Sequence, residues 1–124
     1  MIQGEVNSDR QVMISLQVYD SSGRPVALEA QIDTGFSDCL TLSPARIATL
    51  QLVIWGRSSF ILGDGHEEEF NLYSSKVLFN EKEHDIFILE ADSEPPLVGM
   101  TLLYGSHIQL DVIEGGAVLI DSIP

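Results

Sequence analysis

The sequence has 124 residues, of which 44% are hydrophobic, and its formal net charge at pH 7 is −13. This length and apolar content suit one domain, residues 1–124, with a single core, and they exclude a disordered chain. The acidic surface repels phosphate backbones and anionic lipid, which argues against binding to nucleic acid or to a membrane surface. The simplest role of the charge is to keep the protein soluble.

Cys39 is the only cysteine, so an intrachain disulfide is impossible. This favours a reducing compartment, and we expect a cytoplasmic protein. The N-terminus lacks the basic segment followed by an apolar one that marks a signal peptide, and no window approaches the ~18 apolar residues of a membrane-spanning helix. We expect Cys39 to be a small buried hydrophobe, because the sequence points to no partner base that would make it a nucleophile.

The first half of the chain predicts strands and one short helix. Residues 11–19 alternate apolar and polar side chains, which is the period of a half-buried strand. After a polar turn, residues 26–32 return as the second arm of a hairpin. The helix is predicted at Pro44–Leu50, with Ser43 as its N-cap and a proline at its first position.

The second half predicts further short strands. Residues 52–55 and 58–62 precede Asp64-Gly65, a strong hairpin-turn signal. Residues 101–104 predict a helical turn that ends at Gly105. Other strands are predicted at residues 70–79, 84–89, 108–112 and 117–120. Short strands at regular spacing predict an all-β fold, a closed or nearly closed barrel with one short helix.

The tripeptide Asp33-Thr34-Gly35 occurs once, between a predicted strand and the loop that enters the next one. A carboxylate in this position is held on a tight turn, where its oxygens can face a cleft. One aspartate cannot perform the acid–base chemistry of a carboxylate pair alone. Either a second copy of the chain supplies the other carboxylate, or Asp33 only caps a turn.

Three segments together resemble the retropepsin-like aspartic proteases, and most of all their single-domain bacterial and archaeal members. Residues 32–37, with an apolar strand after them, are similar to the family's active-site loop, including a Phe after the Gly. Residues 62–65 resemble the tip of the flap hairpin. Residues 97–103 resemble the apolar-apolar-Gly element and short helix that close the family's core. The order and spacing agree over residues 11–113.

The resemblance implies a homodimeric aspartic endopeptidase with a retropepsin-like barrel. Asp33 of each subunit would supply one carboxylate to a dyad on a two-fold axis. Thr34 would hydrogen-bond across that axis, and Gly35 would bring peptide N–H groups near the carboxylates. The partners implied are a peptide or protein substrate and a second copy of the chain. The resemblance implies no metal or organic cofactor, and the three histidines show no metal-ligand spacing.

Substrate binding is assigned by the same resemblance to Phe36 and Ser37. Phe36 makes the pocket edge bulkier than the small residue of retroviral enzymes or the hydroxyl residue of pepsins. Ser37 stands where retroviral enzymes carry an acid that holds the substrate backbone. Thr101 replaces a frequent Asn or Asp, which leaves a structural hydrogen bond of the family in question.

The flap would be formed by Gly63, Asp64 and Gly65, and it would close over a peptide and exclude water. The plain alternative is an ordinary tight hairpin turn. The terminal segments 1–6 and 117–123 have strand character, and we expect them to interleave across the dimer.

Two other hypotheses remain at this stage. One is a catalytically inactive peptide-binding or interaction module of the same fold. The other is an unrelated small β-barrel in which the Asp-Thr-Gly tripeptide arose by chance.

Overall fold

The computed structural model describes all 124 residues, from Met1 to Pro124. The strands are β1 (Ile2–Val6), β2 (Val12–Tyr19), β3 (Pro25–Ile32), β4 (Leu40–Leu42), β5 (Val53–Ile61), β6 (Glu67–Phe79), β7 (Lys82–Glu90), β8 (Leu97–Val98), β9 (Ser106–Leu110) and β10 (Ala117–Ser122). The helices are α1 (Pro44–Leu50) and the single turn α2 (Met100–Leu103). Neither helix has the length and apolar character needed to cross a membrane.

All strands belong to one sheet, in the order β5-β6-β7-β4-β8-β3-β2-β1-β10-β9. An additional pairing between β2 and β6, with Val18 opposite Val77, closes the strands from β6 through to β2 into a ring. Two pairs inside the ring are parallel, β3 with β8 and β4 with β7. The predicted all-β fold, with its strands closed on themselves and one short helix, is therefore confirmed.

The core fills the inside of this ring. Ile14, Leu16 and Val18 alternate along β2 and are buried, as the period of the sequence predicted. Helix α1 contributes Ile47 and Leu50 to the same cluster. Each such side chain stabilises the fold by about 1.5–3 kcal/mol relative to an exposed one, so the ring is held mainly by apolar burial.

Helix α1 has the predicted bounds because its ends are well capped. The hydroxyl of Ser43 accepts a hydrogen bond from the Arg46 N–H at 3.4 Å, and a proline occupies the first turn. Gln51 ends the helix in the left-handed conformation, with φ of 53°. Arg46 also donates to the Glu94 carboxylate at 2.8 Å, and the Ser43 hydroxyl lies 2.9 Å from the same oxygen. These contacts attach the start of α1 to the loop before β8.

The long hairpin of β5 and β6 differs from the sequence prediction in two details. The segments predicted at residues 52–55 and 58–62 form one continuous strand, β5, with an irregularity in register between Ile54 and Gly56. Strand β6 begins at Glu67, so three consecutive glutamates lie in the strand, where all are exposed. Strand β5 forms one edge of the sheet.

The terminal strands pair within the chain, which differs from the expected interleaving across a dimer. Strand β1 lies between β2 and β10, and β10 lies between β1 and β9. Both edges of β1 and β10 are therefore occupied by the chain itself. The edge that remains open at this end of the sheet belongs to β9.

Candidate active site

Asp33 directly follows β3, at the point where this strand leaves the ring. Its backbone N–H donates to the carbonyl of Val98 at 2.9 Å, which extends the parallel pairing of β3 with β8 by one residue. Ile32, the preceding residue, is buried in the core, whereas Asp33 itself is half-exposed. The strand thus fixes the backbone of Asp33 while its carboxylate reaches the surface.

A tight turn holds the Asp33 carboxylate. The side-chain Oδ1 accepts a hydrogen bond from the Gly35 N–H at 2.9 Å, and the Asp33 carbonyl accepts from the Phe36 N–H at 3.1 Å. A Cβ atom on Gly35 would lie only 3.2 Å from that Oδ1. Gly35 therefore supplies an N–H donor to the carboxylate, and its lack of a side chain leaves the space beside Oδ1 free. Thr34, at the top of the turn, is exposed.

The segment that leads into α2 holds the loop after Asp33 from the other side. The Gly99 N–H donates to the Cys39 carbonyl at 3.0 Å, and the Met100 N–H donates to the Phe36 carbonyl at 2.8 Å. The Thr101 hydroxyl donates to the carbonyl of Ser37. The side chain of a threonine thus joins α2 to the loop after Asp33.

Gly99 is the point of closest approach between these two segments. A Cβ atom there would lie 2.1 Å from the Asp38 carbonyl oxygen and 2.6 Å from the ring of Phe36. No side chain fits without displacing the loop. The half-buried Phe36 ring therefore packs onto the glycine, an arrangement that couples the Asp33 loop to α2.

A shallow cavity of about 380 Å³ opens beside this loop, lined by Ser37, Met100, Thr101 and Tyr104. Tyr104 is 91% exposed, although it is a large aromatic residue. Sequence reasoning selected Ser37 but missed Met100 and Tyr104. The available signal was an aromatic residue directly before the Gly that ends a predicted helical turn.

Cys39 packs against the core and is half-buried. Burial, and then the negative charge of Asp38, raise the pKa of its thiol. The thiol is therefore protonated at neutral pH and is not poised as a nucleophile. This agrees with the interpretation of Cys39 as a small apolar residue.

The hairpin turn at residues 62–65 lies at the tip of β5 and β6. Gly65 has a φ of +83° and donates its N–H to the Leu62 carbonyl at 2.9 Å, and the Asp64 carboxylate accepts from the His66 N–H at 2.8 Å. Gly63 has no such φ and has open space around it. No hydrogen bond joins this tip to the Asp33 loop. Asp33, Thr34, Gly35, Phe36 and Ser37 thus lie in one loop, and Gly63, Asp64 and Gly65 lie in a separate hairpin turn.

Comparison with known proteins identifies the fold. No protein-family model matches the sequence, and no curated protein sequence matches it. Among solved structures, the chain is similar to a retropepsin-like aspartic protease from Rickettsia conorii, with a TM-score of 0.61 and 18% sequence identity. The similarity covers 97% of this chain and 90% of that one. The chain therefore has a retropepsin-like fold, and at this identity the comparison shows the fold alone.

Proposed function

We propose that the protein is an aspartic endopeptidase whose dyad consists of Asp33 from each of two chains. The observation that carries this proposal is the loop itself: one half-exposed carboxylate, held by the Gly35 N–H and fixed by β8, in a retropepsin-like fold. Each chain has one such loop, so a pair of carboxylates requires two chains. Two-fold dimers are the commonest oligomers and generate such a pair directly.

The chemistry requires two carboxylates that share one proton. Two like charges about 3 Å apart cannot both ionise, so one Asp33 carboxyl stays protonated. The ionised carboxylate takes a proton from the attacking water, while the protonated one donates to the carbonyl oxygen of the scissile peptide. The hydrogen bond from Gly35 to Oδ1 orients the carboxylate toward this role.

The open edge of β9 supports a dimer at the same end of the molecule as α2. An unpaired strand edge carries free N–H and C=O groups that a second copy can satisfy. Tyr104, just before β9, and Val112 and Ile113, just after it, are exposed apolar residues. We therefore assign dimer formation to β9 in place of interleaved termini, with Thr34 available for hydrogen bonds across the axis.

In this proposal the hairpin tip with Gly63, Asp64 and Gly65 acts as the flap. A Cβ atom at Gly63 or Gly65 would meet no atom within 4 Å, and a hairpin that moves can close over an extended peptide and exclude water. Phe36 and Ser37, on the Asp33 loop, then contact substrate residues next to the scissile bond.

The test is cleavage of an unfolded protein by the full chain and by its Asp33→Asn variant. Asparagine keeps the shape of the side chain but cannot act as a base, so the variant should fold normally and lose all turnover. Undiminished proteolysis by a well-folded Asp33→Asn protein contradicts the proposal. Peptide binding by the wild-type chain without any turnover favours the alternative, an inactive peptide-binding module.

A further inference from the structure

The outer face of β5, β6 and β7 carries exposed apolar side chains that the proposed protease activity does not use. Val53 is 66% exposed, Trp55 is 63% exposed and Phe87 is 45% exposed. The rings of Trp55 and Phe87 lie 4.6 Å apart between centroids, at an angle of 50°. Trp55 therefore reaches across β6 to meet a residue of β7, and the two rings form a shelf on the surface.

Two adjoining cavities make this face a continuous groove. The first, of about 310 Å³, lies against Trp55 and Phe87. The second, of about 440 Å³, extends to Tyr19 and Glu83. Both are lined by Ser74, Ser75 and Asp85, so the groove runs without interruption from the aromatic pair to Glu83. We call it the Trp55–Glu83 groove.

The charges at the second end favour a cation. Asp20 is paired with Arg24 at 3.6 Å, and Lys76 lies opposite Asp85 in the register of β6 and β7. Glu83 forms no salt bridge within the chain. Three carboxylates line this end of the groove, those of Asp20, Glu83 and Asp85, against one ammonium group, that of Lys76, so the lining carries a net negative charge.

Tyr19 lines the same end of the groove as Glu83. Partial burial, and then the hydrogen bond and charge of Glu83, raise the pKa of the Tyr19 hydroxyl.

The shape and position of the groove suit an extended chain. Strand β5 is an edge of the sheet, and its outer N–H and C=O groups are unpaired beside Val53 and Trp55. A segment that lies along such an edge can add main-chain hydrogen bonds to its side-chain contacts. A second copy of the chain is a poor occupant, because it carries 19 acidic against 6 basic residues and is repelled by a surface of the same charge.

We propose that the Trp55–Glu83 groove docks an extended segment of a partner protein that carries an apolar side chain near a basic one. The apolar side chain packs on the Trp55–Phe87 shelf, and the basic side chain pairs with Glu83. This site does not involve Asp33, so it stands or falls independently of the proposed peptidase activity.

Trp55 is the only tryptophan, so its fluorescence reports on the groove directly. The probes are three capped peptides: one alternates valine with lysine, one valine with glutamate, and one serine with lysine. We expect saturable quenching or a spectral shift with the valine–lysine peptide, and at least about tenfold weaker binding of the other two, which corresponds to about 1.4 kcal/mol. Raised salt should weaken binding of the valine–lysine peptide, because an exposed ion pair is screened.

Two variants locate the site. Phe87→Ser should weaken binding of the valine–lysine peptide about tenfold, and Glu83→Gln, which removes one exposed ion pair, about threefold; both are measured by fluorescence and by titration calorimetry. Matched controls lie on β5 and β6 but outside the groove: Ile61→Ser, at a residue that is 79% exposed, and Glu68→Gln should bind as the wild type does. Asp33→Asn should also bind normally.

Several results overturn the proposal. If the valine–lysine peptide does not bind, or the valine–glutamate peptide binds equally well, the groove does not recognise an apolar side chain next to a basic one. If Glu83→Gln binds the peptide with unchanged affinity, the basic side chain does not pair with Glu83. This conclusion holds even if Phe87→Ser fails to fold. Loss of binding in Asp33→Asn places the peptide in the Asp33 loop. A change in oligomeric state of Phe87→Ser, seen by sedimentation, assigns the face to contact between copies of this chain.

Discussion

The hydroxyl of Thr101 donates a hydrogen bond to the backbone carbonyl of Ser37, a residue 64 positions earlier in the chain. The other bonds that join these two segments come from the backbone N–H groups of Gly99 and Met100. Thr101 is thus the one side chain whose hydrogen bond ties α2 to the loop after Asp33. We infer that this bond helps to position the loop that follows the candidate catalytic carboxylate.

Removing this hydroxyl should therefore impair activity more than stability. In Thr101→Val the side chain keeps its shape, and the loss of one exposed hydrogen bond should lower the free energy of unfolding by about 1 kcal/mol or less. We expect proteolytic turnover to fall by about tenfold, because a small misplacement of a catalytic group is costly. Thr101→Ser, which restores the donor, is the control. Full activity in Thr101→Val contradicts the positioning role.

The contact between Gly99 and Phe36 predicts a large packing penalty. In Gly99→Ala the new methyl group meets the Asp38 carbonyl and the Phe36 ring, so the loop must shift. We expect the free energy of unfolding to fall by about 1–3 kcal/mol, measured by urea denaturation. Gly56→Ala is the matched control, because a Cβ there has no neighbour within 4 Å. If the two variants have the same free energy of unfolding, the Asp33 loop shifts to accommodate the methyl group without loss of stability, which contradicts the prediction.

The two glycines of the hairpin tip should behave differently. Gly65 has a φ of +83°, which a β-branched residue adopts only with strain, whereas Gly63 has no such constraint. Gly65→Val should reduce peptide turnover strongly with little loss of global stability, since the turn is exposed. Gly63→Ala should retain turnover. If Gly65→Val cleaves peptides at the wild-type rate, the hairpin is scaffold and not a flap.

The contact between Arg46 and Glu94 predicts a stability that depends on pH. The hydrogen bond from Arg46, helped by that from Ser43 and opposed by partial burial, lowers the pKa of Glu94 below 4.5, its usual value. A lowered pKa means that the carboxylate stabilises the folded state above pH 4.5 and that this contribution is lost as the pH falls through the folded value.

Glu94→Gln should accordingly be less stable than the wild type at neutral pH and approach it in acid. We expect a difference of less than about 1 kcal/mol, because the Glu94 side chain is 46% exposed and water screens the pair. Urea denaturation at neutral pH and in acid measures it, with Glu68→Gln on the exposed face of β6 as the control. A difference that grows toward low pH contradicts this assignment.

Local patterns in the sequence predicted most of the fold. The alternation along β2 and the caps of α1 are short-range features, and both elements form where they were expected. The continuity of β5 was not predictable, because the irregularity between Ile54 and Gly56 interrupts the alternation while pairing with β6 continues on both sides. The closure of β2 onto β6 is likewise a long-range pairing that local residue patterns do not encode.

In the candidate site, too, the sequence predicted features that are local in the chain and missed those that depend on packing between distant segments. Asp33, Thr34 and Gly35 were found because they are consecutive and follow a strand. The contact of Gly99 with Phe36, and the cavity that includes Met100 and Tyr104, depend on how two distant segments pack. The pairing of the termini was predicted wrongly, since strand character alone does not tell whether β1 and β10 meet within one chain or between two.

The central claim is that two chains share one active site, and mixing of subunits tests it most directly. Wild-type chain is incubated with a ninefold excess of Asp33→Asn chain under conditions that allow exchange, and cleavage of an unfolded protein is measured. If each dyad needs Asp33 from both subunits, activity per wild-type chain should fall to about one tenth, because most wild-type chains then have an inactive partner. Activity that is unchanged by the excess variant, with exchange shown independently, contradicts the shared dyad.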